Sequence, residues 1–93
     1  MNTIVGLYSM KNGEIDRFLN SFFNNDFKSE SPLKWEKNFD NPTEATDIIG
    51  AFIDNRDDFD ANMWISFDPE VFINITNHNV NDIIKYMFER FPY

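Results

Sequence analysis

Asn62-Met63-Trp64-Ile65-Ser66-Phe67-Asp68-Pro69-Glu70-Val71-Phe72-Ile73-Asn74-Ile75-Thr76 decides how the rest of the chain can fold. Two runs rich in β-branched and aromatic residues flank Asp68-Pro69-Glu70, where the proline ring presets φ for a turn and removes a ladder donor. The stretch is a predicted β-hairpin. With the turn centred on Pro69, Phe67 faces Val71, Ile65 faces Ile73 and Met63 faces Ile75, so one face is wholly apolar. The other face carries Trp64, Ser66, Phe72 and Asn74. A slip of one residue would expose the apolar set, which fixes the register.

Upstream, Thr3 to Ser9 is a near-continuous apolar run, the pattern of a strand covered on both faces or central in a sheet. Gly6 within it implies close approach of a helix or a neighbouring backbone. Ile15, Phe18, Leu19, Phe22 and Phe23 then recur at helical spacing, predicting an amphipathic helix over 13–24 that starts at Asn12 as cap and ends at Asn24-Asn25. Residues 26–33 are polar and broken by Pro32, and Leu33, Trp35, Lys37 and Phe39 alternate with polar residues as an edge strand does.

Asn41-Pro42-Thr43-Glu44 combines a capping residue, a proline where its missing donor costs nothing, and a glutamate three residues after the cap. It opens a second helix whose buried stripe is Ala45, Ile48, Ile49, Phe52 and Ile53. Gly50 inside this helix predicts close packing and no break. A last helix starts near Asn79, buries Val80, Ile83, Ile84, Met87, Phe88 and Phe91, and stops at Pro92.

The order β-α-β-α-β-β-α with three one-sided helices predicts a single small layered α+β domain spanning 1–93, its sheet mostly antiparallel. If Phe27 to Glu30 pairs with the strand after it, the first six elements instead take the ferredoxin-like order, with a strand and helix appended. The 11 phenylalanines predict an aromatic core.

The chain has no cysteine, which excludes disulfides, thiolate metal sites and cysteine nucleophiles. Its start lacks the basic and apolar regions of a signal peptide, and no apolar run approaches the roughly 20 residues of a membrane span, so a cytoplasmic protein is expected. The net charge of −8 is localised. Nine carboxylates between Asp40 and Glu70 face one base, Arg56, while acids and bases balance elsewhere. Such a surface disfavours nucleic acid or anionic lipid and permits a basic partner.

No catalytic constellation stands out. His78 lies in a polar turn with no serine or carboxylate placed to form a relay, and there is no phosphate-binding glycine loop or paired-histidine spacing. No cofactor is expected. Asp54, Asp57, Asp58 and Asp60 offer oxygen ligands for a hard cation, but neither the glycine nor the closing glutamate of a calcium loop follows. Trp64 and Phe72 share a hairpin face. They are an exposed anchor if helices cover one side of the sheet, and core if helices cover both, which three helices on about four strands favours.

The closing third, Asn62 to Phe67 through Val80-Asn81-Asp82-Ile83-Ile84-Lys85-Tyr86 to Arg90-Phe91-Pro92-Tyr93, resembles the ends of small bacterial toxin-immunity proteins of contact-dependent inhibition systems. The resemblance implies a cytosolic, non-enzymatic protein that binds a cognate toxin domain. Taken with the charge, it makes Asp54, Asp57, Asp58, Asp60, Trp64 and Phe72 the expected contacts for a basic protein such as a toxin nuclease. The alternatives are a metal-dependent or small-molecule module using the Asp54 to Asp60 carboxylates, and a structural or oligomer-forming domain.

Overall fold

The structure, a computed structural model, describes residues 3–23, 31–68 and 71–90. Its elements are β1 (Thr3–Tyr8), α1 (Glu14–Phe23), β2 (Lys34–Phe39), α2 (Pro42–Asp54), a 3-10 turn (Arg56–Asp58), β3 (Asn62–Asp68), β4 (Val71–Asn74) and α3 (Val80–Arg90). The strands form one antiparallel sheet in the order β2-β1-β3-β4. This is the expected β-α-β-α-β-β-α domain of three helices on a four-stranded sheet. The strand pairing behind the ferredoxin-like order falls on Phe27 to Glu30, outside the described residues. The turn at Pro69, the end of α1 at Asn24-Asn25 and the stop at Phe91-Pro92 also lie outside them.

The apolar run of β1 is explained by its central place, with β2 on one side and β3 on the other. Its alternation then sorts the sheet into two faces. Thr3, Val5 and Leu7 share a face with Met63 and Ile65, and all five are fully buried. Against that face pack Ile15, Phe18 and Leu19 of α1, Ala45, Ile48, Ile49 and Phe52 of α2, and Val80, Ile83 and Met87 of α3. All three helices therefore cover one side. Phe18 sets its ring edgewise to Phe52 and Phe59, with centroids 5.4 and 5.3 Å away.

The core is less aromatic than the composition predicts. Phe18, Phe39 and Phe52 are buried, but most of the remaining interior is aliphatic. Phe23, Phe72 and Phe88 are exposed, because one helix layer cannot shelter every aromatic of two helices and a hairpin.

Local signals place the elements closely. The Asn41 Oδ1 accepts from the Thr43 and Glu44 amides at 2.8 and 3.4 Å, so α2 opens with its predicted cap. The first helix opens one residue later than Asn12 implies: Gly13, at φ 91°, gives its carbonyl to the Arg17 amide. In α3 the Asn79 side chain reaches backward, accepting from the Thr76 amide and donating to the Asn74 carbonyl, both at 2.8 Å.

In the hairpin Ile65 faces Ile73, and the Ile75 amide donates to the Met63 carbonyl at 2.9 Å. Val71, however, stands opposite Asp68 and not Phe67. One extra residue on β3 between Ile65 and Asp68 makes a bulge, which alternation alone does not reveal.

Candidate functional site

The acidic segment lies at the end of the sheet where β1 finishes. Tyr8 pairs with Asn62, the first residue of β3, so the loop 55–61 that enters β3 sits beside the turn 9–13 that leaves β1. The turn after β4 joins them, because the Arg56 Nη1 donates to the Ile75 carbonyl at 2.9 Å.

The loop is held by its backbone. The Asp60 amide donates to the Glu14 Oε1 at 2.9 Å, the Ser9 hydroxyl donates to the Asp60 carbonyl, and the Arg17 Nη2 donates to the Asp58 carbonyl. Arg17 also grips Glu14 through two bonds of 2.9 Å and stacks over Phe59 at 4.3 Å. The Arg17 hydrogen bond, and after it the Asp60 amide, hold the Glu14 carboxyl down to about 2 from its usual 4.5. Glu14 and Arg17 thus position the loop, a role that helical periodicity assigns only to a solvated face.

With the backbone engaged, the four carboxylates of Asp54, Asp57, Asp58 and Asp60 project outward. All four residues are exposed, and none of their carboxylates takes part in an ion pair among the described residues. Arg17 is paired with Glu14, and Arg56, inside the loop, donates to the Ile75 carbonyl. Among the described residues no three carboxylates or histidines converge as a cation site would need.

The acidic excess of residues 40–70 is not one patch. Asp40, Glu44 and Asp47 belong to the start of α2, beside Phe39, which pairs with Thr3 at the opposite end of β1. Helix α2 carries the chain about 20 Å from there to Asp54. Only the Asp54 to Asp60 group gathers at the end described above.

Trp64 and Phe72 occupy the sheet face that no helix covers. The expectation that helices bury them fails, because all three helices lie on the other side. Phe72 is 62% exposed and Trp64 half-buried, and their rings meet edgewise at 5.1 Å. The indole lies over Gly6: a Cβ there would sit 2.2 Å from Trp64 Cε2 and Cζ2. Gly6 therefore does mark a close approach, but by a side chain and not by a helix or backbone.

Trp64 follows Asp60 by four residues, about 13 Å along an extended strand. Tyr8 fills the gap. It is 38% exposed, lies on the same open face and pairs with Asn62. The alternation of Ile4, Gly6 and Tyr8 against Val5 and Leu7 was the available signal for it. Acidic end and aromatic face are thus adjoining surfaces of one corner.

His78 is exposed in the turn before α3, where its amide donates to the Thr76 hydroxyl at 3.2 Å. Among the described residues no helix is long and apolar enough to cross a membrane. Compared with protein-family models, curated proteins and solved structures, the chain matches none.

Proposed function

We propose that this chain is a non-enzymatic, cytosolic binding protein of the immunity type, which neutralises a basic protein partner through the corner formed by Asp54, Asp57, Asp58, Asp60, Trp64 and Phe72. The observation that carries the reading is the loop: its backbone is tied to Ser9, Glu14 and Arg17 while its four carboxylates face solvent without an ion-pair partner among the described residues. Fixed, unneutralised charge raises the encounter rate with a cationic surface and needs little ordering on binding. The Trp64–Phe72 pair adjoins it and supplies apolar contact of the kind that dominates interface energies. A toxin nuclease, whose substrate groove must be positive, presents the complementary surface.

The test uses the purified chain as bait in a lysate of its own host at low salt. A basic protein should be retained, released as salt rises, and lost with the double variant Asp57→Lys/Asp58→Lys. Retention indifferent to both salt and charge reversal overturns the reading.

A further inference from the structure

The helix layer stops short of the last strand. α3 packs principally against α2, so the side chains that β4 turns toward the helices are left uncovered: Val71 is 52% exposed and Ile73 36%. Between β4 and α3 this leaves a groove of about 350 Å³, inside the range of about 300–1,000 Å³ typical of small-molecule pockets. Ile83 lines it from the helix. The rings of Phe67 and Tyr86, with centroids 4.8 Å apart, span from sheet to helix along it, and most of its lining is apolar.

Two polar residues complete the lining. Asn79 and Asp82 fall at i and i+3 to the i+7 of Tyr86, on the face of α3 that looks toward β4. Asn79 is occupied: its Oδ1 accepts from the Thr76 amide and its Nδ2 donates to the Asn74 carbonyl, both at 2.8 Å. The Asp82 carboxylate has no hydrogen-bond or ion-pair partner among the described residues, and none of them places another charge in the lining. Arg90 stacks over the Tyr86 ring, 5.1 Å from its centroid, but does not line the groove, so Asp82 sets its sign. Because Asp82 is exposed, that charge stands at the mouth.

We infer that the groove binds a small organic amine: its ammonium pairs with Asp82 at the mouth, while an aryl or short alkyl body fills the apolar space beneath. Charge complementarity selects this class. An ammonium sunk among apolar side chains would lose its hydration without return, whereas at the mouth it keeps water and gains the carboxylate. A carboxylate ligand would meet like charge at Asp82, in a chain of net charge −8. A neutral ligand of the same shape buries the same apolar surface but leaves Asp82 without a counter-charge. The site is separate from the acidic loop, since none of Asp54, Asp57, Asp58 and Asp60 lines it.

Proton–nitrogen NMR titration of the full chain with phenethylamine, phenethyl alcohol and phenylacetate tests it, at a salt concentration that screens the general attraction of cations to an acidic chain. Phenethylamine should shift the Ile73, Ile83 and Tyr86 amides saturably, with a dissociation constant at least about tenfold below that of phenylacetate and with the alcohol between them. Asp82→Asn should bring the amine to the level of the alcohol. Val71→Lys, which supplies a tethered ammonium of its own, should abolish amine binding. Unchanged circular dichroism shows that both variants still fold. Asp57→Lys/Asp58→Lys should leave the amine's affinity as it was while capture of a basic protein is lost, so the two readings fail separately. Absence of saturable shifts, equal affinity for the three probes, shifts confined to residues outside the groove, or amine selectivity that survives Asp82→Asn overturns the inference.

Discussion

The two faces of the sheet are built from similar residues and end in opposite environments. Val5, Leu7, Met63 and Ile65 are sealed beneath three helices, while Ile4, Tyr8 and Trp64, one position away along the same strands, and Phe72 of β4 stay at least partly open to solvent. Hydrophobicity alone therefore did not decide which side was covered. The helices did, since each presents one apolar stripe and all three stripes meet the same face. On the open side the aromatics shelter one another, with Phe72 and Trp64 meeting edgewise and the indole over Gly6.

The largest test of that contrast is a pair of truncations. Ile65→Ala removes a side chain with no exposed surface and should cost about 2–5 kcal/mol, because the core closes only partly over the cavity. Phe72→Ala removes a bigger side chain but loses chiefly one edgewise aromatic contact, and about 0.5–1.5 kcal/mol is expected. Urea unfolding with unchanged m-values measures both. Equal costs would mean that the open face is covered after all.

Gly6 gives the next effect. Gly6→Ala places a methyl group where the indole lies, so Trp64 must swing off the sheet, at an expected cost of about 1–3 kcal/mol. In a Trp35→Phe background, emission from Trp64 should shift to the red. An unshifted spectrum would show that the indole does not rest on this glycine.

The sequence reached the element order, the cap of α2, the central place of β1 and the edge character of β2, because each rests on local chemistry or on a short period. The side on which the helices lie could not be read from it, since three amphipathic stripes are equally compatible with one face or two. The candidate site divides in the same way. Asp54 to Asp60 stand together because they are adjacent in the chain, whereas Glu14 and Arg17 join them across 46 and 41 residues. Tyr8 was legible from alternation in β1, given the knowledge that its face is open.

Acid separates the loop from the sheet. The tie of Glu14 to the Asp60 amide needs the carboxylate, and a folded value of about 2 against an ordinary 4.5 means that its contribution is complete above 4.5 and is lost as pH falls from there toward 2. The hydrogen-exchange protection factor of the Asp60 amide, taken against the intrinsic rate at each pH, should fall through that window ahead of that of Ile65 in the core. Glu14→Gln should flatten the dependence. Simultaneous loss at both amides would mean that the loop has no separate transition.

The smallest effect concerns the other glycine. Gly50, expected from its mid-helix position to mark close packing, has no atom within 4 Å of where its Cβ would be, and α2 runs through it unbroken from Pro42 to Asp54. Its freedom is thus unused in the folded state and only enlarges the unfolded ensemble, so Gly50→Ala should stabilise by about 0.4–1 kcal/mol. The two glycines then respond to one added methyl group with opposite signs, for a reason that lies in what surrounds each and not in the residue. Should Gly50→Ala destabilise, the space above α2 is filled in solution by another surface. A loss there that disappears on dilution would place a contact between molecules on α2.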